Sequence, residues 1–266
     1  MTAFVSVEEL AARIPDGSLL AVPPDHVGVA MAATRALIRR RARNLRLLTV
    51  PTGGMQTDLL IGAGAVTAIE TAGVALGETE RAGRFTAAAK AGSIAIRDST
   101  CPAIHAGLQA AEKGIPFMPL RGILGSDLVA LRPDWRIIDN PYANADPIML
   151  LPSLRPDIAL FHAAIADRRG NVWIGRRREL VTMAHAAATT FVTVEEIAED
   201  DLLAREATAA GSLSSLYVGA IAEARNGAWP LGLGERYGPD QEHLAAYAEA
   251  AKSDAAFRAY LSRHVL

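Results

Sequence analysis

Short apolar runs alternate along most of the chain with longer stretches in which apolar residues recur at helical spacing. The apolar runs predict strands at 18–22, 45–50, 66–70, 93–97, 115–120 and 157–162. The stretches between them predict helices at 27–43 and 79–91, and a further helix that ends at 113–114. Because the later runs are apolar at nearly every position, we expect strands that are buried on both faces. The pattern therefore predicts an α/β fold with an open, mostly parallel sheet flanked by helices.

The two ends of the chain and one internal turn carry further local signals. Ser6-Val-Glu-Glu9 is a capping box that begins a helix. Asp167-Arg-Arg-Gly170-Asn171 predicts a tight hairpin turn. After Glu196 the pattern weakens, and a terminal helix is predicted at 241–261. We interpret residues 1–200 as one α/β domain and residues 201–266 as a helical extension packed on it.

Composition narrows the class of protein. The chain has 266 residues, with 27 Lys and Arg against 29 Asp and Glu, and a net charge of −2. A chain with this charge balance lacks the excess of basic residues that nucleic-acid binding needs, so nucleic acid is not expected as a partner. The single cysteine, Cys101, excludes an intramolecular disulfide and fits the cytoplasm. No signal peptide is expected, and the longest uncharged, apolar-leaning stretch, 180–194, is shorter than the roughly 20 residues that span a bilayer.

Common catalytic and metal-binding motifs are absent from the sequence. It has no G-x-G-x-x-G, no Walker loop, no G-x-S-x-G, no H-E-x-x-H and no paired cysteines. The six histidines are scattered without metal-ligand spacing, and an isolated histidine in an α/β protein is more often a hydrogen-bonded structural residue. We therefore expect no metal site and no permanently bound cofactor.

Two loops follow predicted strands at the positions where open α/β sheets bind ligands. The first is Pro23-Pro-Asp-His-Val-Gly28, and the second contains Thr52-Gly-Gly54. Glycines there let backbone amides approach a phosphate or a carbonyl oxygen. The alternative is that Gly53 and Gly54 are only turn residues.

Charged residues follow two further strands. Asp98 follows the strand at 93–97, and Arg121 and Asp127 follow the strand at 115–120. If these strands are neighbours, the two carboxylates and the guanidinium form an acid/base or anion-binding cluster. A structural salt bridge is the alternative.

The arrangement of whole segments resembles the alpha subunit of family I CoA-transferases of the glutaconate CoA-transferase type, and also the related ring-opening CoA hydrolases of steroid catabolism. The resemblance runs from about Ser6 to Glu196. Its most specific piece is Ile158-Ala-Leu-Phe-His162-Ala-Ala-Ile-Ala-Asp167-Arg-Arg-Gly170-Asn171. A second piece is Pro116-Phe-Met-Pro119-Leu-Arg121-Gly-Ile-Leu-Gly125-Ser-Asp127.

The resemblance implies a fold of the NagB/ribose-5-phosphate-isomerase/CoA-transferase type and a homologous beta subunit, in a heterodimer or an α₂β₂ assembly. In such transferases the beta subunit supplies a glutamate, which attacks an acyl-CoA thioester and then carries CoA to an acceptor carboxylic acid. That glutamate lies in a Glu-x-Gly motif. Glu70-Thr-Ala-Gly73 and Glu78-Thr-Glu80 do not match the motif in place, so we expect the beta subunit to supply the nucleophile and CoA thioesters to be the substrates.

Two departures from the family pattern affect the expected reaction. The family's glycine-rich loop after the first strand is replaced here by Pro23 and Pro24, which have no N–H to donate. Asp98 occupies the position of a glutamate that is implicated in acid/base chemistry in the ring-opening hydrolases. The predicted catalytic residue of this chain is therefore Asp98, and the predicted substrate-binding residues are His26, Gly53, Gly54, Arg121, Gly125 and Asp127. Transfer of CoA is the first hypothesis. The alternatives are a hydrolase that opens a cyclic keto-acyl-CoA and a non-catalytic scaffold subunit, and a sugar-phosphate isomerase is the more remote one.

Overall fold

The computed structural model of the protein describes residues 2–77 and 80–266. The strands are β1 Ala3–Val5, β2 Leu19–Val22, β3 Leu45–Thr49, β4 Val66–Thr71, β5 Ala75–Leu76, β6 Glu80–Arg81, β7 Ala95–Asp98, β8 Phe117–Leu120, β9 Arg136–Asp139, β10 Pro147–Pro152, β11 Ile158–Asp167, β12 Val172–Trp173, β13 Thr189–Ala198, β14 Ser212–Leu213 and β15 Val218–Glu223. The helices are α1 Val7–Ala12, α2 Met31–Arg39, α3 Met55–Gly62, α4 Gly83–Ala91, α5 Cys101–Glu112, α6 Leu128–Leu131, α7 Arg178–Ala186, α8 Glu206–Ala209, α9 Gln241–Ala250 and α10 Asp254–His264. Two residues named in the sequence analysis, Glu78 of the Glu-Thr-Glu segment and Thr79 at the start of a predicted helix, lie outside the described residues.

The main sheet is parallel, as the apolar runs predict. Its strands follow the order β1-β15-β13-β11-β2-β3-β4-β7, and each neighbouring pair is parallel. β12 and β14 add a short antiparallel ribbon near the end of β11. The predicted open parallel sheet flanked by helices is confirmed.

The order of the strands reverses between β2 and β11. From β2 the chain proceeds through β3 and β4 to β7, whereas from β11 it proceeds in the other direction through β13 to β15. Ligands of open α/β sheets bind outside the carboxyl ends of the strands at such a reversal. The loop that follows β2 is therefore the first place to look for a site.

Both faces of the main sheet are covered, which explains the continuous apolar runs. Alternate residues of a strand point to opposite faces. In β11, Leu160 packs into a core with residues of α2, α3 and the C-terminal helices, whereas Phe161 packs into a second core with residues of α5 and α7. Both side chains are fully buried. A strand buried in this way needs apolar residues at every position.

A second, smaller sheet corrects the sequence analysis. The predicted strand at 115–120 forms β8, but β8 belongs to an antiparallel sheet with the order β8-β10-β9 rather than to the main sheet. The expectation that β8 lies beside β7 and is buried on both faces is wrong, because β8 is an edge strand whose residues alternate between exposed and half-buried. Pro119 has no N–H for a sheet ladder, which suits an edge strand.

The segment after residue 200 contributes more than helices. β15 lies within the main sheet, between β1 and β13. The sequence pattern did not predict this strand. The predicted terminal helix is divided into two helices, α9 and α10. Ser253 caps α10, because its hydroxyl accepts a hydrogen bond from the backbone N–H of Ala256 at 3.3 Å. The division of the chain at residue 200 stays a prediction. None of the helices in the described residues is long and apolar enough to cross a membrane.

Candidate functional site

The loop after β2 carries a carboxyl group that sequence analysis did not single out. Both carboxyl oxygens of Asp25 lie 3.0 Å from the backbone nitrogen of Met55. Met55 is the first residue of α3, so Asp25 accepts a hydrogen bond from an N–H that has no partner within the helix. Asp25 thereby joins the loop after β2 to the loop after β3.

The surroundings of Asp25 favour its neutral form. Burial raises the pKa of Asp25 from 3.8 to about 6, the N–H of Met55 opposes this effect, and the charge of Asp58 adds to it. A carboxyl group with a pKa near neutrality can accept or donate a proton under ordinary conditions. In the sequence, Asp25 is recognisable only as an acidic residue just past a strand end. Its contact with Met55 is not visible there, because it joins distant parts of the chain.

Gly53 and Gly54 leave no room for side chains. A Cβ atom on Gly54 would lie 2.1 Å from Cγ of Asp25, and a Cβ atom on Gly53 would lie 2.6 Å from Oγ1 of Thr57. The N–H of Gly53 already donates to the carbonyl oxygen of Gly73 at 2.9 Å. Packing around Asp25 and Thr57 thus explains why both residues are glycine, and their role in substrate binding stays a prediction. His26, beside Asp25, is exposed.

Asp98 lies at the carboxyl end of β7, the last strand of the main sheet on this side. Asp98 is exposed, and its carboxylate accepts a hydrogen bond from the N–H of Ser99 at 3.1 Å. The buried guanidinium of Arg132 holds this strand end in place. Nη1 of Arg132 donates to the carbonyl oxygen of Asp98 at 2.9 Å, and Nη2 donates to Oε1 of Glu70 at 2.8 Å. Asp98 is therefore an accessible carboxylate on a firmly anchored backbone.

In the described part of the chain, the predicted cluster of Asp98, Arg121 and Asp127 makes no direct contacts among its own side chains, and its role as one site stays a prediction. Arg121 follows β8 in the small sheet and makes a two-point ion pair with Asp146, in which Nε lies 2.9 Å from Oδ1. Hydrogen bonds from Arg121 lower the pKa of Asp146 to about 2. Asp127 and Gly125 are also exposed residues of the segment after β8. Within residues 2–77 and 80–266, no hydrogen bond or ion pair joins Asp98 to Arg121 or Asp127.

A buried polar network supports the loop after β2 from behind. The backbone N–H of His162, in β11, donates to the carbonyl oxygen of Gly28 at 2.7 Å. The imidazole of His162 lies 2.8 Å from Oγ1 of Thr193 and 2.7 Å from Oε1 of Glu195. The hydroxyl of Tyr237 donates to the same carboxylate at 2.6 Å. This arrangement agrees with the interpretation of the isolated histidines as structural residues.

The network stabilises a charged carboxylate inside the protein. Burial alone would raise the pKa of Glu195, but hydrogen bonds from His162, Tyr237 and the N–H of Asn226 lower it to about 2. Gly28 has a φ of +87°, and a Cβ atom there would lie 2.2 Å from the carbonyl oxygen of His162. The close approach of the loop to β11 therefore requires glycine. Across the part of the chain that the structure describes, no group of three His, Cys, Asp or Glu residues could hold a metal ion.

The sequence of this chain matches a known protein family over most of its length. The family model described as coenzyme A transferase matches residues 4–223. The chain belongs to the coenzyme A transferase family. Members of this family use CoA thioesters as substrates.

Within the coenzyme A transferase family, the chain is similar to A subunits. It is 32% identical over 244 residues to the IpdA subunit of the cholesterol ring-cleaving hydrolase from Rhodococcus jostii, covering 88% of this chain and 82% of the relative. It is 30% identical over 252 residues to the A subunit of glutaconate CoA-transferase from Acidaminococcus fermentans, covering 88% and 78%. The crystal structure of glutaconate CoA-transferase from that organism superimposes with a TM-score of 0.90 at 26% identity, over 99% of this chain and 89% of the other. The crystal structure of the decarboxylase AibA/AibB superimposes with a TM-score of 0.86 at 29% identity, over 98% and 99%.

These relatives are named for three different reactions: hydrolytic ring cleavage, CoA transfer and decarboxylation. Membership of the coenzyme A transferase family therefore defines the fold of this chain, whereas the reaction depends on details of the site. One such detail is that the loop after β2 begins with two buried prolines, Pro23 and Pro24. The N–H of Val27, further along this loop, donates to the carbonyl oxygen of Pro24 at 3.0 Å. Pro23 and Pro24 thus have no backbone N–H, and the N–H of Val27 is already engaged.

Proposed function

We propose that this chain is the A subunit of a heteromeric CoA-transferase that acts on CoA thioesters of carboxylic acids. Its match to the family model over residues 4–223, together with its similarity to A subunits over 88% of its length, is the observation that supports the proposal. The partner is a homologous B subunit, in a heterodimer or an α₂β₂ assembly.

In this reaction the B subunit supplies a glutamate. Its carboxylate attacks the thioester carbon, and CoA leaves as a thiolate while a mixed anhydride forms. The thiolate then attacks the glutamyl carbonyl and releases the first acid, which leaves a glutamyl-CoA thioester. The acceptor acid takes CoA by the same two steps in reverse order. We assign to this chain the part of the site formed by the loops after β2 and β3 and by Asp98.

The residues of that part have distinct proposed roles. In CoA transfer, Asp98 contributes its exposed carboxylate as a charge that orients the substrate; in the hydrolytic alternative below it accepts a proton from water. His26, Gly53 and Gly54 border the loop after β2 and contact the substrate there. Arg121, Gly125 and Asp127 contact another part of the substrate from the segment between β8 and β9.

Hydrolysis is the second candidate, and the prolines of the loop after β2 favour it. A thioester oxygen that becomes negatively charged needs preorganised donors, and Pro23 and Pro24 provide no N–H. A carboxylate that activates water, such as Asp98, depends less on those donors. The similarity to a subunit named for ring-cleaving hydrolysis is consistent with this candidate.

Co-expression with the homologous B subunit of the same organism tests the proposal. The purified complex is incubated with acetyl-CoA and a panel of carboxylic acids, and then treated with borohydride or hydroxylamine. CoA transfer together with a glutamyl adduct on the B subunit is the expected result. No adduct, with incorporation of ¹⁸O from water into a cyclic acyl-CoA, would replace transfer by hydrolysis.

Two variants define the role of this chain in the complex. Asp98→Asn is expected to lower kcat about 100-fold or more if its carboxylate takes part in proton transfer. Glu242→Gln, which neutralises an exposed carboxylate of α9, is the matched control and is expected to leave kcat unchanged. Full activity of the Asp98→Asn complex would leave this chain with a supporting role only.

A further inference from the structure

The small sheet has one apolar face that nothing in the described chain covers. Paired residues of neighbouring strands lie on the same face of a sheet. Leu150 of β10 pairs with Pro119 of β8 and with Arg136 of β9, and Ile148 pairs with Ile138. With Phe117, which pairs with Pro152, they form what we call the outer face, which consists of Phe117, Pro119, Arg136, Ile138, Ile148, Leu150 and Pro152.

Apolar residues are exposed on the outer face and at strand β9, whose Ile137 is 53% exposed although it lies on the inner face. Met149 and Leu151, on the inner face, are 0% and 1% exposed because they pack against α5 and the segment around Trp135. On the outer face, Phe117 is 44% exposed and Ile138 is 40% exposed. Contiguous apolar surface of this kind marks an interaction site.

The charge on the outer face indicates what covers it. Arg136 is exposed, and among the described residues no carboxylate lies within 4.0 Å of it, whereas Arg97, Arg121 and Arg132 all have carboxylate partners. Arg136 is also the only charged residue of the seven that form the outer face. A second copy of this chain that used the same face would bring two guanidinium groups and no counter-charge into one apolar interface. A different protein can place a carboxylate opposite Arg136.

The position of the outer face points to the same partner. Arg132, which precedes β9, donates a hydrogen bond to the carbonyl oxygen of Asp98, so the small sheet is joined directly to the end of β7. A protein bound to the outer face therefore approaches the edge of the main sheet that carries Asp98.

We propose that the outer face is the docking surface for the B subunit, which covers it with an apolar patch and places a carboxylate against Arg136. This inference rests on the proposed function, because it identifies where the B subunit of that enzyme binds. Burial of Phe117 and Ile138 supplies affinity, and Arg136 sets the orientation and excludes a second copy of this chain.

Binding of the B subunit to surface variants of this chain tests the docking surface. Ile138→Asp and Arg136→Glu change the outer face. Leu203→Asp, at a leucine that is 42% exposed, and Arg258→Glu, at an exposed arginine of α10, are matched controls. Light scattering gives the mass of each complex, and titration with labelled B subunit gives its Kd. Ile138→Asp and Arg136→Glu are each expected to raise the Kd at least about tenfold. The controls are expected to stay within about twofold.

The outcomes separate this inference from the proposed function. If the wild-type chain forms no complex with the B subunit, the heteromeric function itself fails. If the complex forms and all four variants bind equally well, the function stands and the docking surface is refuted. If Ile138→Asp abolishes self-association of the isolated chain and leaves B-subunit binding unchanged, the outer face is an interface between copies, which also refutes the inference. Circular dichroism of each variant verifies that these exposed substitutions leave the fold intact.

Discussion

Replacement of Asp25 by asparagine is expected to stabilise the protein near neutral pH. Asparagine has nearly the same shape as aspartate, and its carbonyl oxygen can still accept the hydrogen bond from Met55. It differs in that it never carries a charge. The substitution therefore isolates the free energy of ionising Asp25 inside the loop after β2.

The pKa of Asp25 gives the magnitude of this effect. A pKa of about 6 in the folded protein, against 3.8 in the unfolded chain, corresponds to about 3 kcal/mol. Below pH 3.8 Asp25 is protonated in both the folded and the unfolded state, so this contribution to the stability of the folded protein is fully present. This stability is lost as the pH rises through about 6, because the folded protein must then ionise a buried carboxyl group. At about pH 7.5 the wild-type protein should therefore be less stable than Asp25→Asn by up to about 3 kcal/mol. At about pH 4 the two proteins should be nearly equal.

Urea denaturation at these two pH values, followed by tryptophan fluorescence, measures the free energies of unfolding. The pH titration of the ¹³Cγ signal of Asp25 measures its pKa directly. Asp139→Asn, at an exposed carboxylate, is the control and should show no difference between the two pH values. The first turn of α3 favours the ionised form, since a helix N-terminus attracts negative charge. If Asp25→Asn is less stable than the wild type at about pH 7.5, that attraction outweighs burial and the reasoning is refuted.

Three further substitutions test other parts of the structure. Glu195→Gln should lower the free energy of unfolding by about 2–3 kcal/mol at neutral pH. The difference should shrink as the pH falls below about 4, because a lowered pKa stabilises the folded state only while the carboxylate is ionised. Urea denaturation across this pH range measures both effects. Tyr247→Phe removes a 2.8 Å hydrogen bond to the buried carboxylate of Asp58. It should cost about 1–3 kcal/mol and speed hydrogen exchange in α9. Gly54→Ala should destabilise the protein by more than about 1 kcal/mol in thermal unfolding, because its Cβ would meet the Asp25 carboxyl group, whereas Gly122→Ala, where the space is open, should not.

Strands of the main sheet were predictable where burial on both faces leaves a continuous apolar run. The run at 45–50 corresponds to β3 at Leu45–Thr49 in this way. β15 escaped prediction because its sequence, Val218-Gly-Ala-Ile-Ala-Glu, consists largely of small residues and carries a weak hydrophobic signal. β8 was found as a strand, but its partner was not, because strand pairing depends on contacts between distant segments.

The same limit explains why only part of the candidate site was predictable. Asp98 could be placed at a strand end because that position follows from the local pattern. The prediction that Arg121 and Asp127 lie beside Asp98 depended on which strands are neighbours. That could not be read from the sequence, and β8 lies in another sheet. Asp25 was inconspicuous because its two defining properties, the hydrogen bond to Met55 and the raised pKa, arise only when two loops meet.

The loop after β2 connects these observations with the choice between transfer and hydrolysis. Pro23 and Pro24 have no backbone N–H, while the raised pKa of Asp25 allows a carboxyl group in the same loop to hold a proton at pH values below about 6. A protonated carboxyl group is a hydrogen-bond donor, as the N–H groups of a glycine-rich loop would be. Unlike an amide, however, it donates only below its pKa. If Asp25 replaces those donors, activity of the complex should decline as the pH rises through about 6, and Asp25→Asn should remove that decline, since its amide donates at every pH.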